Sequence, residues 1–158
     1  MTADKYVAID PGANGALVVF DRHKILQIYK LSKNDTFTVL RDIIPMNSIA
    51  YIENIRLWTS DVNRVGKVFR LQSLIRQHER LKCAVRLNCI GYVDVEPKEW
   101  QKSYGLVANV KGAEKKNRHK KMAGLMPENK GIKITLTNVD AILLARWAQR
   151  RLKQMEIK

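Results

Sequence analysis

Three acidic residues stand where chemistry could be built. Asp10 closes the short apolar run KYVAID and is followed at once by Pro11 and Gly12, so it sits where a buried strand stops at a turn. Glu53 ends a second run, SIAYIE, and a carboxylate at the inner end of a central strand usually has a partner. Asp140 lies in the first turn of the last helical pattern. Taken singly, a strand-end Asp also reads as a turn residue, and a helix-start Asp as a complement to the helix dipole. Brought together at one sheet end, the three would repel each other without a cation. Oxygen ligands with bound water suit Mg2+ or Mn2+. In two-metal phosphodiester cleavage, ions about 3.5 to 4 Å apart divide the work between activating water and stabilising the leaving oxygen.

The surroundings of these acids are strongly basic. The 158 residues hold 29 Lys and Arg against 15 Asp and Glu, a net charge of +14 that exceeds what solubility asks for and points to a polyanionic partner. Nucleic acid fits best, because neutralising phosphates and releasing counterions needs such an excess, whereas a solvated surface is the plain alternative. The densest run, 111–121, holds Lys111, Lys115, Lys116, Arg118, Lys120 and Lys121, suited to phosphate contacts more than to reading bases. Zinc is not supported: His23, His78 and His119 are scattered among polar residues, and Cys83 and Cys89 lack a Cys-x-x-Cys spacing and read as core or near-core thiols. No apolar stretch reaches the length of a membrane span and no signal peptide is evident, so the expectation is a protein of its host's cytoplasm.

The elements that must position the acids follow from patterning. The length and the 46% apolar content suit one domain, 1–158. Strands are expected at 5–10, 16–20 and about 25–29, joined by short turns as a meander. A helix over 36–44, with Asp35 as N-cap and Pro45 as stop, leads to a strand at 48–53. Apolar residues at three- and four-residue steps predict a long amphipathic helix over 61–81, then a fifth strand over 87–95. Pro97 to Trp100 marks a short helix or turn, 111–126 a basic helix or helical loop, and 138–154 a last helix. In that helix Ile142, Leu144, Ala145, Ala148 and Leu152 form one apolar face, with Arg146, Arg150 and Arg151 projecting elsewhere. Trp100 and Trp147 read as core or interface. The order β-β-β-α-β-α-β-α implies an α/β fold with a mixed sheet and helices on its faces, with chemistry gathered at strand ends.

The motifs AIDPGANGALVVFD, AYIENI, VEPKEWQK, GAEKKNRHKKM and NVDAILLARWA, in that order along nearly the whole chain, resemble the RuvC family of Holliday junction resolvases, particularly its phage-encoded branch. The resemblance implies a ribonuclease H-like fold: a five-stranded mixed sheet with helices on both faces. It makes Asp10, Glu53 and Asp140 the catalytic, metal-holding acids, with Lys115 or Lys116 stabilising charge on the reacting phosphate. It implies a homodimer formed through the long helix, acting on four-way junctions and other branched DNA. The chain departs from the pattern at the fourth acid, where Thr137 stands and its neighbour Asn138 is also uncharged. Either could offer a neutral oxygen or a hydrogen bond to a metal-bound water. In the loop after Glu53, Arg56 and Trp58 occupy the region where related resolvases place a base wedge; Trp58 stacks on an exposed base or is simply buried. Two other functions stay open: a non-catalytic branched-DNA-binding protein with the same fold and an impaired metal site, and a ribonuclease H-like nuclease acting on RNA paired to DNA.

Overall fold

A computed structural model describes residues 3–12, 15–32, 34–55, 65–107, 110 and 112–156. Its sheet has five strands in the order β3-β2-β1-β4-β5: β1 Tyr6–Asp10, β2 Ala16–Phe20, β3 Ile25–Lys30, β4 Ser48–Glu53 and β5 Cys89–Val95. The first three form the expected antiparallel meander, and β4 and β5 join parallel to β1 because their connections run through helices. Strands β1 and β2 are buried at every residue, which is why both read as continuous apolar runs.

Alternation along the strands divides the core in two. Tyr6, Ala8, Val18, Phe20 and Tyr51 face one side, where helix α5 (Val139–Glu156) packs with α3 (Pro97–Ser103) and α4 (Gly112–Leu125). Val7, Ile9, Leu17, Val19 and Ile52 face the other, under α1 (Phe37–Ile43) and α2 (Val65–Asn88). The expected mixed sheet with helices on both faces is therefore the fold observed.

Four local readings change. The N-cap of α1 is Thr36, whose hydroxyl accepts from the Val39 N–H at 3.3 Å; Asp35 instead accepts from the Ser32 N–H at 2.7 Å and closes the preceding turn. Helix α2 continues to Asn88, so β5 begins at Cys89. The Asn88 amide, by donating to the carbonyls of Arg41 and Ile44, ties the end of α2 to the end of α1. Cys83 is exposed on α2, not packed in the core, because the helix turns that position away from the sheet; Cys89 is half-buried. Arg146 leaves the apolar face as expected but is buried. Its guanidinium donates to Asn129 Oδ1, Gln149 Oε1 and the Glu128 carbonyl, pinning the short 3-10 turn Pro127–Asn129 onto α5.

Candidate active site

The register of the parallel pair β1 and β4 matches Ile9 with Ile52, which sets Asp10 and Glu53 side by side at the carboxyl ends of adjacent strands. Both follow residues that alternate toward α5, and the first turn of α5 brings Asp140 to the same end. The three acids named from sequence thus meet at one end of the central strands, where their charges act on one another.

The turn after β1 is shaped around Asp10. The Gly12 N–H donates to Asp10 Oδ1 at 3.2 Å, and the Gly15 N–H to the Gly12 carbonyl at 2.8 Å. A Cβ on Gly15 would lie 1.9 Å from the Asp10 carbonyl oxygen and 2.9 Å from its carbon, both backbone atoms that no side-chain rotation can relieve. Gly15→Ala is therefore expected to destabilise the protein by about 1–3 kcal/mol or more and to displace Asp10. A thermal melt together with a nuclease assay checks this, and an unaltered melt would show that the turn tolerates the methyl group.

Helix α4 delivers two more side chains to the acids. Lys116 and His119 are three residues apart on one helical face and so point the same way. The Lys116 ammonium lies 2.5 Å from Asp140 Oδ2 and 3.5 Å from Asp10 Oδ2, bridging acids from two elements. His119, fully buried, has its Nδ1 2.7 Å from Asp140 Oδ1. From α3 the Trp100 indole N–H donates to Glu53 Oε2 at 3.0 Å. Beside the acids a cavity of about 220 Å³ opens between Asp10, Glu53, Asn54, Leu74 and Pro97.

Electrostatics separate the acids. Burial drives Glu53 up to about 8, aided by the negative charges of Asp10 and Asp140, although its side chain keeps some contact with the cleft. Burial likewise raises Asp10, against the pull of Lys116. Asp140 is buried too, but its bonds to His119 and Lys116 outweigh burial and hold it below the usual carboxylate range. Burial works against the Lys116 charge, yet Asp10 and Asp140 more than offset it and raise its pKa. For Glu53 the folded state keeps its proton above the ordinary 4.5, so its contribution to stability is full below that pH and is lost as pH rises toward about 8. The metal-free protein is expected to lose melting temperature across that interval, and Glu53→Gln to lose less; equal slopes would contradict the assignment.

Among the described residues, no group of three or more His, Cys, Asp or Glu side chains stands ready to hold a metal ion. The Lys116 ammonium lies between Asp10 and Asp140, within ion-pair distance of both. The donor set still fits a hard divalent ion: Asp10, Glu53 and Asp140 supply carboxylate oxygens, and Lys116 marks where positive charge is drawn in. The two neutral candidates divide. Asn138 is committed to the turn before α5, with its side-chain Oδ1 accepting from the Thr135 N–H at 2.8 Å and its side-chain amide donating to the Lys133 carbonyl at 3.0 Å. Thr137 is half-buried in the same turn.

Of the basic residues singled out, Arg118, Lys120 and Lys121 are exposed on α4, Arg118 paired with Glu114 at 3.2 Å, while Lys115 is half-buried near Glu53. Arg56, Trp58 and Lys111 lie outside the described residues. His119 and Trp100 were not expected at the site. His119 looked like one more polar residue of a basic run, and the available signal was its spacing, three after Lys116 and four before the buried Ala123.

No protein-family model and no curated protein matches the chain. Solved structures do. Thermus thermophilus RuvC matches with a TM-score of 0.54 at 12% identity, covering 95% of this chain and 96% of that one. The chain has the RuvC fold. The same RuvC in complex with a Holliday junction substrate matches equally well, at TM-score 0.54 and 12% identity over 94% and 96% of the two chains. The yeast mitochondrial Holliday junction resolvase Ydc2 matches with a TM-score of 0.52 at 15% identity, covering 97% of this chain and 81% of that one. The RuvC fold thus spans nearly the whole chain.

Proposed function

We propose that the protein is a structure-selective endonuclease that resolves four-way DNA junctions, and other branched DNA, by metal-dependent hydrolysis of phosphodiesters. The observation that carries this reading is the convergence of Asp10, Glu53 and Asp140 at the carboxyl ends of the central strands, beside a basic helix, in a chain with the RuvC fold. Asp10, Glu53 and Asp140 would hold Mg2+, with Mn2+ able to substitute, and Thr137 would stand at the margin of the set. When bound, divalent ions polarise the phosphodiester and make the attacking water acidic enough to react near neutral pH. Lys116 would supply positive charge against the negative charge that builds on the phosphate, and Lys115 would add to the same field. Arg118, Lys120 and Lys121 on the exposed side of α4 hold the flanking backbone by phosphate contacts, which fix position without reading sequence.

The phage-encoded type of RuvC resolvase is the branch of the family that the motifs favour. A homodimer through α2 completes the reading: Phe69 and Ile75 are exposed on that helix, and an isologous pair presents two identical sites to opposed strands of a junction. In a non-catalytic junction binder with the same fold, the Lys116 bridge would be permanent; the neutral Thr137 and the committed Asn138 favour that second reading.

The test is a panel of four-way junction, linear duplex and RNA–DNA hybrid at one salt concentration with Mg2+ or Mn2+. Preferential nicking of the junction supports resolution. Tight junction binding without cutting supports the non-catalytic reading, and preferential cutting of the hybrid overturns both.

A further inference from the structure

His119 is buried beside the acids and contacts both Asp140 and Trp100. Its Nδ1 meets Asp140 Oδ1 at 2.7 Å, whereas its buried Nε2 has no hydrogen-bond partner among the described residues. An ionised carboxylate only accepts, so Nδ1 of His119 is the donor to Asp140. The ring stands edge-on to Trp100, centroids 5.4 Å apart at 74°. Trp100 in turn donates its indole N–H to Glu53. The two rings, from α4 and α3, touch each other and each grips one acid from the protein side.

This grip sorts the carboxylate oxygens. Asp140 has Oδ1 on His119 and Oδ2 toward Lys116; Glu53 has Oε2 on Trp100, which leaves Oε1 for the cleft. Without the rings, either carboxylate could rotate about its terminal torsion and present a different oxygen. We propose that His119 and Trp100 act as one buried brace that fixes which oxygen of Asp140 and of Glu53 is offered to a divalent cation, with His119 donating through Nδ1. Both are positioning residues, and the inference rests on the metal-centre reading above. Groups that orient metal-holding side chains in this way typically control affinity by 10- to 100-fold on removal.

The experiment is calorimetric titration of the purified full chain with Mn2+, without DNA, for the wild type, His119→Leu, His119→Asn and Trp100→Phe, each also melted. Asparagine keeps an amide donor near the Nδ1 position, and phenylalanine keeps most of the indole's bulk without its N–H. The Mn2+ dissociation constant is expected to rise about 10- to 100-fold in His119→Leu and Trp100→Phe and to recover most of that rise in His119→Asn. Long-range proton–nitrogen NMR of the wild type is expected to show Nδ1 protonated. Trp100→Phe carries the test if His119→Leu does not fold. Equal Mn2+ affinity in the wild type and the folded variants overturns the brace and leaves the metal centre standing. Absence of Mn2+ binding by the wild type overturns the metal centre itself and the brace with it.

Discussion

Asp10→Asn is expected to reduce junction cleavage by on the order of a thousandfold or more while leaving junction binding in the absence of metal intact. The substitution keeps the shape of the side chain and the acceptor for the Gly12 N–H, so the turn after β1 survives. What it removes is the charge between Glu53 and Lys116, and it turns an amide donor toward the Lys116 ammonium. Because burial already raises Asp10, loss of its charge relieves the folded state of an unfavourable burden, and the metal-free melting temperature should hold or rise. A nicking time course beside a gel shift in chelator reads both halves. Undiminished nicking would remove Asp10 from the chemistry, and a collapse of the melt would make its role structural.

Lys116→Met should give a less familiar pair of outcomes: tighter Mn2+ binding and cleavage slower by about a hundredfold. The ammonium occupies the space between Asp10 and Asp140, so a divalent ion must displace it, and removing a competitor strengthens binding. In the proposed reaction the same residue also opposes the negative charge that builds on the phosphate, so its loss should slow cleavage. The metal-free protein is expected to lose about 1–3 kcal/mol. That is below the cost of breaking a fully buried pair, because the Lys116 side chain keeps about a third of its surface exposed. Addition of Mn2+ should therefore raise the melting temperature more in the variant than in the wild type. Weaker Mn2+ binding by the variant would show that Lys116 supports the metal and does not compete with it.

Much of this arrangement is legible in the chain, and the limits have physical causes. KYVAID and ALVVF announce buried strands, and Pro11, Gly12 and Gly15 announce the turn that frames Asp10. Asp10 and Glu53 could be placed at strand ends because a carboxylate after an apolar run is an unusual cost that needs a reason. The Lys116 bridge was not legible in its geometry, since a basic run reads as a solvated or phosphate-binding face and tertiary contact alone decides which lysine turns inward. His119 was hidden for the same reason, and only the i, i+3 relation to Lys116 sets it apart from its polar neighbours. The boundary between α2 and β5 failed locally: helical periodicity fades after Leu81, but Ala84, Val85 and Asn88 still pack inward and carry the helix to Asn88. Cys83 shows the converse, a small apolar residue turned to solvent by the phase of the helix around it.

The most direct measurement is of the purified protein on a synthetic four-way junction, with Mg2+ titrated from zero and products mapped on all strands. The expected result is no cutting without the ion, followed by paired nicks on opposed strands as Mg2+ rises. Cutting that persists in chelator, or an intact junction at saturating Mg2+ and Mn2+ despite tight binding, would contradict the assignment of Asp10, Glu53 and Asp140 to a metal-dependent nuclease centre.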